Sequence, residues 1–490
     1  MWVAGWREST GHEDEPLVNA EKVGMFFRQY QLSCLSLFSY LIGDESTGRA
    51  VVVDPQRDIT GYVDDAQANG LAIKRVIETH FHADFLSGHL ELAEATGAVI
   101  SYGTEAKAEF PIEPLAHGQR IELGDVVLEI RHTPGHTPES ISVVVWEHAS
   151  DPIPWAVLTG DALFVGDVGR PDLLTSVGFG AEELARRLYR SLHQQLLSLP
   201  DETTVFPAHG AGSACGKSMS DAVSSTIGEQ RRWNYALQPM SEDAFVEVVT
   251  QGQSVAPLYF AYTADSNRRL RDLLDDAEPP VRLGVDDLER CLREDAIVID
   301  GRSPETFASG HLRGSVNVGL DGRFAEYAGD VVRPGQPLVV VTDEGREIEA
   351  KVRLARIGFD RVRGAVVDVE RILAERAELT SQGTRLAARD LASWRYDEPG
   401  LQIVDVRNPS EQESGIVPGA VRIPLARLLD RHGDLDATAP TVVYCAAGYR
   451  SSIAASLLRS VGFTHVADLQ GGYDAWADAG LPTVTAETAG

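Results

Sequence analysis

The sequence predicts a multidomain α/β protein: an N-terminal module built from sheet layers, followed by two smaller α/β units with parallel sheets. Three observations carry this. A length of 490 residues corresponds to about three domains at roughly 150 residues each. Short apolar runs in the first half end in turn or charged residues. One motif occurs twice in the second half, beginning at Ala296 and again at Leu401, 105 residues later.

The composition bounds the function. With 43% hydrophobic and 24% charged residues the chain has ordinary globular values and can bury cores. It carries 73 acidic against 44 basic residues, a net charge of −29, and five of the basic residues are lysines. That balance excludes a nucleic-acid partner, which needs a cationic face. The four cysteines, Cys34, Cys215, Cys291 and Cys445, form no CxxC pair, so neither a disulfide framework nor a thiolate zinc site is expected and a reducing compartment is. No cationic segment leads into an apolar run at the N-terminus, and no uncharged stretch of about 18 apolar residues occurs. The expectation is a soluble, cytoplasmic protein without membrane contact, with 1–23 as a polar lead and a homo-oligomer left open.

In the N-terminal module, expected over 24–240, the runs Ala50–Val53, Arg75–Ile77, Ile141–Trp146, Ala156–Leu158 and Thr204–Phe206 read as short strands with polar residues at their ends. Such strands build sheet layers with a site on the rim. Leu184, Leu188, Leu192 and Leu196 place one apolar stripe on a helix over Glu183–Leu199 that stops at Pro200. Lys217–Gln238 and Arg268–Asp276 read as helical, 241–280 as a helical extension and linker, and Pro279-Pro280 as a boundary. The two repeat units then occupy 281–376 and 385–486. Their matching strands, Ala296–Asp300 with Leu401–Asp405 and Leu338–Val341 with Val442–Tyr444, alternate with helices as a parallel sheet requires.

Chemistry concentrates at two places. Thr79-His80-Phe81-His82-Ala83-Asp84 follows a strand, and alternation along an extended segment points His80 and His82 the same way. An HxH pair alone is equally well two polar loop residues. Thr133-Pro134-Gly135-His136-Thr137, Thr159-Gly160-Asp161 and Pro207-Ala208-His209-Gly210 each add a ligand-type residue in a turn, and ten of the 13 histidines precede Gly210. Together these favour a metal site.

From about Phe26 to Gly210 these segments resemble the metallo-β-lactamase fold superfamily. That implies an αββα sandwich with a metal at the edge of two sheets. The superfamily's HxHxDH motif ends here in Phe85, which implies one metal rather than two. The run from Gly160 to Asp172, with His80 to Asp84, is similar to the persulfide dioxygenase branch, and this implies one Fe(II) held by His80, His136 and Asp161, with Zn as the alternative. A two-His-one-carboxylate set leaves three positions open, enough for a persulfide sulfur and O2 side by side. By the same resemblance His82, Asp84 and His209 orient ligands or handle protons. Arg170 contacts substrate or holds its own loop, and Cys215 is a thiol relay or a packing residue.

The second place is Tyr444-Cys445-Ala446-Ala447-Gly448-Tyr449-Arg450. A cysteine between a strand and a helix meets backbone N–H groups and the positive helix end, which favours thiolate. Arg450 adds a fixed positive charge. With Asp405-Val406-Arg407 and Gly471-Gly472-Tyr473-Asp474-Ala475-Trp476, this loop resembles the rhodanese family of sulfurtransferases, in which Cys445 would carry sulfane sulfur and Ala446, Ala447, Gly448 and Tyr449 would form its cradle. Four residues separate Cys445 from Arg450, whereas phosphatase relatives use five. Ile416-Val417-Pro418-Gly419-Ala420 departs from the family's His-Ile-Pro-Gly-Ala as surface variation. In the first repeat Thr342 stands where Cys445 stands, and a hydroxyl cannot form a persulfide, so that copy is expected to be inactive and structural.

The order of the parts resembles fused persulfide dioxygenase–rhodanese proteins. This implies oxidation of a low-molecular-weight persulfide, such as glutathione persulfide, with O2 to sulfite and thiol. Cys445 would then move sulfane sulfur between persulfide, sulfite and thiosulfate. Two rivals stand beside it: a glyoxalase II-like zinc thioester hydrolase fused to a sulfurtransferase, and a non-catalytic sulfur carrier or sensor.

Overall fold

The computed structural model describes residues 18–22, 24–173, 175, 178–398 and 400–485. The chain divides into two compact units. The first contains the described residues up to Phe81, with Ser87–Gln251 and Arg268–Leu270; the second contains His82–Leu86, Gly252–Asn267 and everything described from Arg271 onward.

The first unit holds two sheets. Strands β1 (Val18–Lys22), β2 (Met25–Leu32), β3 (Leu37–Asp44), β4 (Arg49–Val53), β5 (Ala72–Ile77), β6 (Val99–Gly103) and β7 (Glu113–Leu115) lie in sequence order. They are antiparallel from β1 to β4 and parallel from β4 to β7. The second sheet runs from β13 (Ser225–Thr226) through β12 (Thr204–Pro207), β11 (Ala156–Gly160), β10 (Ile141–Trp146) and β9 (Val127–His132) to β8 (Arg120–Glu122). Its β11–β12 pair is parallel.

Two-residue alternation decides which side chains face which layer. Phe27, Phe38, Tyr40, Ile42, Val51 and Val53 of the first sheet share a buried core with Leu128, Ile130, Val143, Val145 and Leu158 of the second. The alternate residues face helices. Leu41, Val52 and Val76 pack with Tyr62, Ala66 and Leu92 from helices Thr60–Ala68 and His89–Thr96, and Val144 and Val157 pack with Leu188, Leu192 and Leu196. Helix, sheet, sheet and helix therefore stack as an αββα sandwich.

The leucine stripe forms helix Ala181–Ser191 and then continues as a π turn, Leu192–Leu196. A strict four-residue stride drifts around a 3.6-residue helix, and the wider π turn keeps Leu192 and Leu196 facing the sheet. Elsewhere the expected helices need correction. Within Lys217–Gln238 only Ile227–Trp233 is α-helical, followed by a short 3-10 turn. The amides of Lys217 and Ser218 instead donate to Asp167 Oδ2, both at 2.7 Å, and Thr226 caps the helix through a reciprocal bond with Glu229. Arg268–Asp276 contains no helix; the helix lies earlier, at Phe260–Ser266. In the expected polar lead, 18–22 pairs as an edge strand with β2, because main-chain pairing needs no apolar side chain. The remainder of that lead lies outside the described residues.

The second unit contains both repeats. The first has a parallel sheet in the order Val316–Asn317, Ile297–Asp300, Leu338–Val341, Val362–Val366. The second has the order Thr384–Leu386, Val466–Leu469, Thr441–Tyr444, Gln402–Asp405, Val421–Arg422, again all parallel. A buried Asp–Arg pair follows the equivalent strand in each: Arg302 with Asp300 at 2.6 Å and Arg407 with Asp405 at 2.7 Å. No helix among the described residues is long and apolar enough to cross a membrane.

Candidate metal centre and sulfur-transfer loop

His80 follows β5, His136 sits in the loop between β9 and β10, Asp161 directly follows β11 and His209 follows β12. These strand ends meet on one rim. Asp161 Oδ2 lies 3.8 Å from His80 Nε2 and 3.4 Å from His136 Nε2, and Oδ1 lies 3.5 Å from His209 Nε2. The ligand-type atoms of His80, His136 and Asp161 fall within 4.8 Å of one another, as do those of Asp161, His209 and Cys215, and all five residues are buried.

The opposite ring nitrogens explain the orientation. His80 Nδ1 meets Thr79 Oγ1 at 3.0 Å, and that hydroxyl donates to Asp54 Oδ2 at 2.8 Å. His136 Nδ1 meets the Arg170 carbonyl at 2.9 Å, and His209 Nδ1 the Ser36 carbonyl at 3.2 Å. Each partner accepts, so the proton sits on Nδ1 and the Nε2 lone pair faces Asp161. Three lone pairs around a carboxylate repel unless a cation lies among them. The donor set therefore fits a divalent metal, with outer hydrogen bonds of the kind that fix metal-binding imidazoles.

The loops are held from behind. Gly135 has φ 152°, and a Cβ there would lie 2.4 Å from Leu188 Cα, so the His136 loop can rest on the helix only with glycine at this position. Arg170 donates to both oxygens of Asp172 at 2.7 Å and to the Ala214 carbonyl at 3.2 Å, and its amide binds the Cys215 carbonyl at 3.0 Å. These contacts tie the loop after Asp161 to the segment carrying Cys215. His82 and Asp84 belong to the second unit, where Asn267 Nδ2 donates to the His82 and Phe85 carbonyls at 2.8 Å and Tyr259 Oη to the Asp84 carbonyl at 3.0 Å. The His82 ring lies 4.3 Å from that of Phe85.

Asp54 and Ser36 carry no motif that marks them, and Thr79 lies in the motif of His80 without a role assigned to its hydroxyl. The one signal was that Asp54-Pro55 ends a strand; Asp54 adopts φ 51° and binds the Thr79 amide at 2.7 Å. Thr79→Val removes the hydroxyl between Asp54 and His80 at nearly constant volume. Metal affinity is expected to fall about 10- to 100-fold, read by competition with a chelator, with an unchanged circular dichroism spectrum.

In the second unit Cys445 is buried at the end of strand Thr441–Tyr444, before helix Tyr449–Ser460. Gly448, at φ 103°, turns its N–H onto Cys445 Sγ at 3.1 Å. Tyr473 and Asp474 amides bind the Cys445 and Ala446 carbonyls at 2.7 and 3.1 Å. Arg450 is paired to Glu411 through two bonds of 2.5 and 2.7 Å; burial would raise the Glu411 pKa, but Arg450 outweighs it and holds that carboxyl below its usual range. The first repeat steadies the loop: Tyr449 Oη donates to the Gly319 carbonyl at 2.6 Å, and Ser452 Oγ to Asn317 Oδ1 at 2.7 Å.

In that first repeat Thr342 directly follows the equivalent strand, Gly345 at φ 91° matches Gly448, and Glu347 stands where Arg450 stands. Arg282 binds Glu347 at 2.7 Å. The charge at the anion-facing position is thus reversed. Thr342→Cys in a Cys445→Ser background is expected to leave thiosulfate sulfurtransferase activity below about 1% of wild type, since a new thiol there faces a carboxylate; a cyanide-based thiocyanate assay measures it.

An αββα sandwich with a metal-type cluster on its rim, followed by two parallel-sheet units with one strand-to-helix cysteine loop, defines a metallo-beta-lactamase-fold enzyme joined to rhodanese-like modules. The metallo-beta-lactamase superfamily model matches residues 33–209, and the rhodanese-like domain model matches 285–364 and 388–479. The human mitochondrial persulfide dioxygenase ETHE1 is 30% identical over 238 residues, which span 47% of this chain and 83% of that protein. The cytoplasmic hydroxyacylglutathione hydrolase of Arabidopsis thaliana is 34% identical over 184 residues, 37% of this chain and 66% of that one. The crystal structure of a metallo-beta-lactamase from Staphylococcus aureus subsp. aureus COL, 32% identical, superposes with TM-score 0.64 over 70% of this chain and 99% of its own. The chain belongs to the persulfide dioxygenase family of the metallo-beta-lactamase superfamily, with two rhodanese-like domains after the sandwich. It is a dioxygenase combined with a sulfurtransferase.

Proposed function

We propose that His80, His136 and Asp161 hold one Fe(II), and that the enzyme oxidises a low-molecular-weight thiol persulfide, such as glutathione persulfide, to sulfite. The observation that carries this is the convergence of two Nε2 lone pairs and one carboxylate within 4.8 Å, the facial set of non-haem iron oxygenases. The balanced reaction takes RSSH, O2 and H2O to RSH, sulfite and two protons. When bound, Fe(II) supplies the one-electron chemistry O2 requires and a Lewis-acid site for the persulfide sulfur.

The chain's own groups do the rest. Thr79 and the Arg170 carbonyl hold the two imidazoles in the ligating tautomer, and the buried rim limits bulk water. His209, beside Asp161 Oδ1 at 3.5 Å, is suited to take up a proton released as sulfite forms. His82 and Asp84 orient the segment after His80. Cys215, grouped with Asp161 and His209, is positioned for a thiol relay, and Arg170 holds the intervening loop.

Cys445 is the sulfur carrier. Its thiolate attacks the outer sulfur of a persulfide, releasing RSH and leaving Cys445 as a persulfide; sulfite then attacks that outer sulfur, forming thiosulfate and restoring the Cys445 thiol. The Gly448 N–H at 3.1 Å and Arg450 stabilise the anionic sulfur. Ala446, Ala447 and Tyr449 complete the cradle. The first repeat, with Thr342 and Glu347, supports the loop without turnover.

The test combines metal analysis of anaerobically purified protein with O2 uptake on glutathione persulfide. Iron near one per chain and persulfide-dependent uptake support the reading, and absence of uptake by iron-loaded protein overturns it. The Arabidopsis hydrolase relative supports a second reading, a zinc thioester hydrolase, which predicts zinc and cleavage of S-lactoylglutathione instead. Phe85 weighs against it because the second metal of dinuclear relatives lacks a ligand there.

A further inference from the structure

Where the two repeats meet, the second unit contains a pocket of about 800 Å³. Its lining includes Pro440 and Val466, at the starts of strands Thr441–Tyr444 and Val466–Leu469. Cys445 follows the opposite end of the first of these, so the pocket is remote from the sulfur loop.

Three features of its wall point to a ligand. The first is charge. The Arg459 guanidinium makes one hydrogen bond among the described residues, to the Val466 carbonyl at 3.4 Å, and Arg313 binds only the Glu378 and Thr380 carbonyls. The nearby Asp468 is engaged by Arg385 at 3.1 Å. Two guanidinium groups thus line the pocket with no carboxylate in salt-bridge contact among the described residues, against one acidic wall residue, Glu398, in a chain of net charge −29 whose arginines are widely paired. Local positive charge of this kind is held for an anion.

The second is His311, 2% exposed and stacked on Phe307 with centroids 3.8 Å apart. Burial, opposed by its bond to the Phe307 carbonyl and reinforced by Arg459, Arg302 and Arg313, pushes its pKa down to about 4. The neutral ring donates from Nδ1 to the Phe307 carbonyl at 2.8 Å, so Nε2 can only accept. The third is apolar surface: Trp394 is 39% exposed and shares the wall with Phe463. A sulfate-sized ion would leave most of the volume unfilled, whereas this size suits an organic molecule.

We propose that this pocket binds a small organic anion, with its acidic head between Arg313 and Arg459, an N–H or O–H donated to His311 Nε2 and an apolar body against Trp394 and Phe463. The ligand would bridge the two repeats at the end of the sheets opposite the sulfur loop.

Full-length protein titrated with 8-anilinonaphthalene-1-sulfonate, which carries a sulfonate, an N–H and two ring systems, tests this. One saturable site per chain is expected, with energy transfer from tryptophan that falls in Trp394→Phe. Arg459→Gln should weaken binding about tenfold, and Trp394→Ala several-fold, while both keep wild-type sulfurtransferase activity. Should Arg459→Gln misfold, Trp394→Ala at its partly exposed position carries the test alone. Absence of saturable binding, or affinity unchanged in the variants that fold, overturns the proposal. Displacement by inorganic sulfate as effective as by the dye itself also overturns it, because the pocket would then read charge without an organic body.

Discussion

Asp161→Ala is expected to abolish metal retention and to lower persulfide-dependent O2 uptake by at least about 100-fold, while sulfurtransferase activity at Cys445 persists. Both carboxylate oxygens face imidazole nitrogens, Oδ2 at 3.4 and 3.8 Å and Oδ1 at 3.5 Å. Removing the only anion in that set leaves neutral donors, which bind a divalent ion far more weakly. Elemental analysis after dialysis reads the metal and an oxygen electrode reads turnover. Full iron occupancy in this variant would remove Asp161 from the ligand set. Retained sulfurtransferase activity shows that the unit carrying Cys445 is intact, and an unchanged circular dichroism spectrum is the control against unfolding of the unit that carries Asp161.

Cys445→Ser is expected to have the opposite pattern. Thiosulfate formation from persulfide and sulfite should fall on the order of 1,000-fold, about 4 kcal/mol in the barrier, with O2 uptake retained and sulfite accumulating in place of thiosulfate. Serine keeps the shape of the loop and can still accept from the Gly448 amide, so the loss would report chemistry. A persulfide cannot form on oxygen. Separation of sulfite from thiosulfate by derivatisation and chromatography measures the outcome, and unchanged thiosulfate output would show that another thiol, with Cys215 first in line, carries the sulfur.

Much of the site was legible because turn chemistry is local. His80, His136, Asp161 and His209 each sit where an apolar strand gives way to a turn, and a strand end on a sheet rim is readable from alternation and a following glycine or proline. Cys445 was legible for the same reason, with Gly448 and Arg450 in fixed register behind it. The residues that orient them were not. Asp54, Ser36 and Glu411 act through hydrogen bonds to partners 25 to 173 residues away, and nothing in their local sequence distinguishes such a partner from any other polar turn residue. The misplaced helices have a similar origin: Lys217 and Ser218 lose helical geometry because their amides reach Asp167, about 50 residues earlier, a competition invisible in a helical pattern.

By itself the sequence determined the kinds of module and their order, the duplication of one α/β unit, and which residues could ligate a metal or carry sulfur. Periodicity, turn residues and side-chain chemistry are properties of short segments and survive being read in one dimension. Tertiary structure alone decided which nitrogen of each histidine faces Asp161, that Arg170 ties a loop, that Glu347 reverses the charge opposite Thr342, and that two guanidinium groups are left facing a pocket between the repeats. Those features depend on distances between segments far apart in the chain, and such distances exist only once the sheets have packed.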